Sequence, residues 1–238
     1  MIANGNRRTG PALAGALMMG VLSMSTTTAA ADTVEGIDLN GIRSVVVTGD
    51  GSETILDTKG TGLIETEHSG VGSVVCGAHA DIRREGDTLV IDIVHRTLGM
   101  FLRCDLKIFA SLPEGVAVSV TQDAAVVRLD GRFGPISIDA PKAVVRFSGE
   151  SSDFGVTSTD AVVTARFANE DAAPSVRIRA EKLVADIGYR RDTTLSYSVT
   201  APVALFTSAF TNTPEAGTNV SIQSTLLKGS LYAFNGAS

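Results

Sequence analysis

The 238-residue chain has no tryptophan, three tyrosines, three histidines and two cysteines. Sugar-binding surfaces lean on exposed aromatic rings, and besides nine phenylalanines the chain has few, Tyr189, Tyr197 and Tyr232, with Tyr197 expected to point inward. Two cysteines are too few for a disulfide-built scaffold. All three histidines (His68, His79 and His95) lie in the first half, so the Ser-rich second half has no imidazole to complete a Ser–His–Asp set. There is no Gly-rich phosphate loop, no His-Glu-x-x-His, and no regular Gly/Asp nonapeptide of the calcium-binding kind. Like charges form no block, and the net charge of −6 is spread in alternating sign. That argues against nucleic acid or an anionic membrane as partner, and no cofactor is implied.

What is present begins with an export grammar. Arg7 and Arg8 precede a small, apolar stretch from Pro11 to Met24, followed by polar Ser25–Thr28 and the small run Ala29-Ala30-Ala31. An A-x-A site at Ala29 and Ala31 would release a chain starting at Asp32. The apolar stretch, about 14 residues long, falls short of the about 20 that a membrane span needs. Residues 1–31 therefore read as a signal peptide and 32–238 as one exported domain, periplasmic, at the cell surface or extracellular, with no stable membrane span after cleavage.

The exported part is rich in Val, Thr, Ser, Ile and Ala and keeps no helical period. Apolar residues alternate every second position between Gly, Asp, Asn or Pro punctuation, the pattern of short strands. Residues 32–115 read as a strand-rich first half, with strands near 42–48, 53–58, 63–67, 74–83, 88–95 and 104–110.

Residues 116–210 are an internal repeat. Val118-Ser-Val120 with Ala125-Val-Val-Arg-Leu129 recurs eighteen positions later as Ile136-Ser-Ile138 with Ala143-Val-Val-Arg-Phe147, and again as Phe154-Gly-Val156 with Ala161-Val-Val-Thr-Ala165. The spacing then loosens, through Val176-Arg-Ile178 with Leu183-Val-Ala-Asp-Ile187, to Leu195-Ser-Tyr197 with Pro202-Val-Ala-Leu-Phe206. Units holding two short strands and two turns suit an all-β fold, a parallel β-solenoid with 18–20-residue coils. Coils stacked about 4.8 Å apart would align Val127, Val145, Val163, Ala185 and Ala204 inward. A meander in a sandwich or barrel would alternate too. Residues 211–238 read as a last coil or cap, which would protect the end of the stack.

The strand at Ile42–Thr48, its successor at Glu53–Thr58, the Asp81-Ile-Arg-Arg-Glu-Gly-Asp-Thr-Leu-Val-Ile91 hairpin, the strand ending at Leu112-Pro113 and the Ser/Thr/Asp-rich repeats follow a known order. It resembles the bacterial exported proteins grouped as adhesin or autotransporter-adhesin head (GIN-type) domains. That resemblance implies a solenoid-like fold, an adhesin-like role and no catalytic residues. Nothing after Phe206 is long enough for a membrane barrel of many strands about 10 residues long.

Candidate sites are few. Asp123, Asp139, Asp153 and Asp160 could supply a glycosidase's paired carboxylates, but Asp is also the ordinary turn residue. Ser119, Ser137 and Ser196 would form an outward ladder. Cys76 and Cys104 flank another strand, and in an oxidising compartment a bridge between them would stabilise the fold by about 3 to 4 kcal/mol. A metal site using Cys76, His79, Cys104 and His95 is the looser alternative, since Cys-x-x-His occurs once. The parity that exposes Arg128 and Arg146 also exposes Val126, Val144, Val162, Val184 and Val203, an apolar stripe open to a partner unless a loop covers it. The sequence thus predicts a non-enzymatic envelope protein that binds an envelope protein or a surface glycan, with a solenoid carbohydrate-active enzyme as the alternative.

Overall fold

The computed structural model describes residues 31–34, 36–60, 62–69, 77–96, 105–168 and 174–235. The expected signal peptide, apart from Ala31, and both Cys76 and Cys104 lie outside the described residues. Seven strands precede the repeat: β1 (Ala31–Thr33), β2 (Ser44–Gly49), β3 (Ser52–Asp57), β4 (Ile64–Ser69), β5 (Gly77–Glu85), β6 (Thr88–Arg96) and β7 (Asp105–Ser111). The repeat supplies β8 (Ala117–Gln122), β9 (Ala124–Arg132), β10 (Ile136–Asp139), β11 (Lys142–Glu150), β12 (Asp153–Phe167) and β13 (Ser175–Arg190). The chain ends with β14 (Leu195–Thr200), β15 (Val203–Ser208) and β16 (Thr218–Phe234). All sixteen belong to one large mixed sheet, and no helix occurs among the described residues.

The repeats pair with one another in parallel and in register. Val118 faces Ile136, Ile136 faces Phe154, and Phe154 faces Val176 on one side of each unit. On the other, Val127, Val145, Val163 and Ala185 follow the same succession. Alternation decides which side chains enter the core: in β9 and β11 every second residue from Ala125 to Leu129 and from Ala143 to Phe147 is buried. Burying a Val or Leu side chain contributes roughly 1.5 to 3 kcal/mol, so the columns supply most of the cohesion.

Two features of the order are not apparent from the repeats alone. The first half extends the same ladder: Val45 and Val47 of β2 face Val118 and Val120, Thr54 and Leu56 of β3 face Val127 and Leu129, and β6 and β7 pair with β2 and β3 in turn. Antiparallel strands finish that end, β5 on β6 and β4 on β7, with β1 on β4. At the other end β16 does not sit outermost. It pairs with β13 on one side and with β14 and β15 on the other. Residues 218–234 are thus an interior layer rather than a cap, and the fifth repeat unit is displaced outward by one layer.

That unit is also shifted by two residues. Val176 faces Val220, and Val220 faces Tyr197, not Leu195. Ala185 faces Gly229, and Gly229 faces Phe206, not Ala204. A slip of two preserves which side chains point inward, so alternation alone cannot detect it.

Where β9 and β11 end, Gly131 and Gly149 are ladder partners with φ of 127° and 144°. A Cβ on Gly149 would lie 1.9 Å from the Gly131 carbonyl oxygen. Glycine is required there by backbone conformation and by the close approach of the next strand. Just inside, Phe147, Phe167 and Tyr189 pack as neighbouring rings, with centroids 4.9 and 5.1 Å apart.

Tyr189 carries a cost within this core. Its hydroxyl is buried and has no hydrogen-bond partner among the described residues. Burial pushes its phenol far above the ordinary tyrosine pKa. The folded state therefore keeps a proton that the unfolded chain releases above about pH 10, and stability falls as pH rises past that value. Tyr189→Phe should keep the ring packing and equal or exceed the parent's stability at pH 7. It should also soften the loss of stability between about pH 10 and 11. Denaturant melts at pH 7 and across that alkaline range check both; a variant less stable by more than about 1 kcal/mol at pH 7 would show that the hydroxyl is satisfied.

Candidate functional site

The ladder brings Val126, Val144, Val162 and Val184 side by side on four adjacent strands. They are open to solvent, between 37% and 44% exposed, so no described loop covers them. The row continues through Lys228 to Leu205, which is 68% exposed. Val203 is not part of it. The two-residue shift places Val203 in the adjoining row, after Ala124, Lys142, Asp160, Lys182 and Leu226. Both rows line one shallow groove of about 610 Å³, whose floor reaches Ala125, Ala143 and Ala161. Small floor residues leave room that larger side chains would fill, and the volume lies within the range of ligand sites.

On the other flank, Arg128 and Arg146 are ladder partners, followed by Thr164, Asp186 and Ser230. Arg128 reaches Glu53 at 3.1 Å, and the Ser230 hydroxyl donates to Asp186 at 2.6 Å. Lys182 pairs with Asp160 at 3.3 Å. Arg146, Lys142 and Lys228 make no ion pair or side-chain hydrogen bond among the described residues. One strand further along, the Arg166 guanidinium stacks on Phe234 at 4.1 Å. Arg128, Arg146 and Arg166 also share a second cavity of about 510 Å³ with Tyr232. The apolar ribbon is therefore edged by unpaired cations in a chain of net charge −6.

The other candidates do not assemble. Asp153 is bound to Arg177 and Asp160 to Lys182, on neighbouring strands, as structural ion pairs. Ser119 and Ser137 are ladder partners, but the row continues through Gly155, Arg177, Ser221 and Ser198. Ser196 belongs to the row of Asn219 and Ser175. His68, His79 and His95 are on β4, β5 and β6, in the layers farthest from the Ser rows. No group of three or more His, Cys, Asp or Glu side chains among the described residues is placed to hold a metal ion.

Sequence reasoning missed Lys228 and Leu226, and missed that Leu205 belongs to the row of the valines. A signal for β16 was present: Val220-Ser-Ile222 followed five residues later by Leu227 repeats the spacing of Val176-Arg-Ile178 and Leu183. It supports a coil, but chain order puts residues 195–206 before it, whereas in the fold β16 stacks directly on β13.

No family profile and no curated protein sequence matches this chain. Among solved structures, one from Clostridium sporogenes ATCC 15579, described as a "putative cell adhesion protein", is similar with a TM-score of 0.51 and 10% identity, over 86% of this chain and 99% of its own. A second, a "putative adhesin" from Bacteroides fragilis NCTC 9343, has a TM-score of 0.34 and 8% identity, over 88% of this chain and 98% of its own. The first is a likeness of fold.

An exposed valine contributes little to folding. Val162→Lys should leave stability within about 0.5 kcal/mol of the parent in thermal or denaturant melts. A loss above about 2 kcal/mol would mean that the valine packs against something and that the ribbon is closed.

Proposed function

We propose that this chain is an exported, non-enzymatic domain of the bacterial cell envelope, adhesin-like in role, which binds a partner through the valine ribbon and its cationic edge. The observation that carries this reading is an open apolar row, continuous over four strands and flanked by Lys142, Arg146 and Lys228, which are unpaired among the described residues. Contiguous exposed apolar surface is costly to keep in water and commonly marks a contact site. Cations beside it favour a partner that is apolar along its length and acidic at its border. An envelope protein fits that description better than a neutral glycan, since the groove has no aromatic lining.

On this reading the scaffold is a parallel β-solenoid, in which each coil contributes one strand to each of two faces. The N-terminal Arg7–Ala31 pattern and the likeness of fold to the clostridial protein support export and an adhesin-like role. Export would put Cys76 and Cys104 where a bridge between them is the favoured state. The scattered carboxylates and the absence of histidine from the repeats support a binding rather than a catalytic role.

Binding of the purified, labelled protein to intact envelope preparations tests the proposal. A Val144→Lys/Val162→Lys variant, folded by circular dichroism, should bind at least about tenfold more weakly, a difference of about 1.4 kcal/mol. Equal binding by parent and variant would contradict the assigned surface. Turnover of envelope glycans by the parent protein would contradict the non-enzymatic reading.

A further inference from the structure

The two outermost strands at the C-terminal end of the ladder are treated differently. On β14 the side chain of Asn212 imitates a neighbouring strand: its Oδ1 accepts the Tyr197 N–H at 2.9 Å and its Nδ2 donates to the Tyr197 carbonyl at 3.0 Å. The Thr213 N–H adds a bond to the Leu195 carbonyl at 2.8 Å. On β15 no such guard exists among the described residues. It pairs with β16 on one side and with no strand on the other among the described residues. Val203 and Leu205, 60% and 68% exposed, project from it.

Charge separates this end from the other. At the far end β5 is an edge strand bearing exposed Asp81, Arg83, Arg84 and Glu85, the usual protection against edge pairing. From Thr193 to Pro214 there is no charged residue at all. An unguarded, uncharged, apolar edge is a template for another strand.

We propose that β15 pairs with β15 of a second copy, antiparallel about a two-fold axis through Leu205. The argument for a second copy is self-complementarity. With Leu205 opposite its symmetry mate, Val203 faces the partner's Thr207, and Thr207 the partner's Val203, so each exposed apolar side chain gains a cross-strand neighbour. Two molecules of net charge −6 repel over most of their surface, but not here. The nearest charge in the Leu205 row is Lys228, one strand inward. The two copies of Lys228 would be three strand spacings apart, about 14 Å, beyond the Debye length of about 8 Å.

The geometry has a functional consequence. Because Leu205 is in register with Lys228 and, through it, with Val184, the ribbon of one copy would run on into that of the other. One strand about 20 Å long offers less than the about 800 Å² per partner of a tight complex, so the dimer should be weak, with a dissociation constant of tens of micromolar.

Sedimentation velocity on the purified protein from about 10 to about 500 µM tests this without reference to any ligand. The parent should move from monomer to dimer across that range. Leu205→Lys sets two cations face to face at the axis and should weaken association at least about tenfold, with an unchanged circular dichroism spectrum and melting temperature. Val144→Lys, on the ribbon but four strands inward, should dimerise like the parent. A parent that stays monomeric throughout overturns the proposal. So does a dimer broken by Val144→Lys and spared by Leu205→Lys, or growth of the parent into open-ended assemblies.

Discussion

Parallel, in-register hydrogen bonding between successive units is the constraint on which the rest of this molecule depends. Adjacent strands about 4.8 Å apart force residues of like position into columns. A column of Val127, Val145 and Val163 is then a continuous strip of core, and a column of Val126, Val144 and Val162 a continuous strip of surface. One arrangement of backbone bonds thus produces both the cohesion of the fold and the surface proposed for binding. At the Gly131–Gly149 pair the positive φ brings the chains closer still, so that a Cβ on Gly149 would meet the Gly131 carbonyl and one on Gly131 the Thr58 hydroxyl.

Such a ladder has two ends, and each must be managed. At the N-terminal end the chain turns to antiparallel pairing and places charge on β5. At the C-terminal end β16 inserts as an interior layer, Asn212 satisfies β14, and β15 is left without a strand neighbour among the described residues. The asymmetry gives the open edge a structural meaning: among the described residues the fold protects β5 and β14 and leaves β15 unprotected.

Much of this was legible in the sequence, and the boundary of legibility is physical. Period-two alternation and near-identical units such as Ala125-Val-Val-Arg and Ala143-Val-Val-Arg revealed strands, inward and outward faces, and the register of the first four units. The outward direction of the valines followed from the same parity, and whether a loop covers them did not; Val126, Val144, Val162 and Val184 are exposed. Parity is blind to a shift of two, so Val203 was placed in a row that Leu205 occupies. Chain order is not stacking order, so residues 211–238 read as a last coil or cap beyond the fifth unit, although Val220, Ile222 and Leu227 repeat the spacing of β13 and stack on it. The continuity of β2 and β3 with the repeat was hidden for the same reason, since β4 to β7 intervene in the chain, while in space β6 and β7 lie on the far side of β2 and β3. For the candidate site, residue type showed which side chains could be exposed, and only the register showed which of them meet.

The account stands or falls on that register, and backbone nuclear Overhauser contacts in a labelled sample measure it directly. Val184 should show cross-strand contacts to the neighbourhood of Lys228, and Lys228 in turn to Leu205. Contacts running directly from Val184 to Val203, with residues 218–234 on the outside, would contradict it.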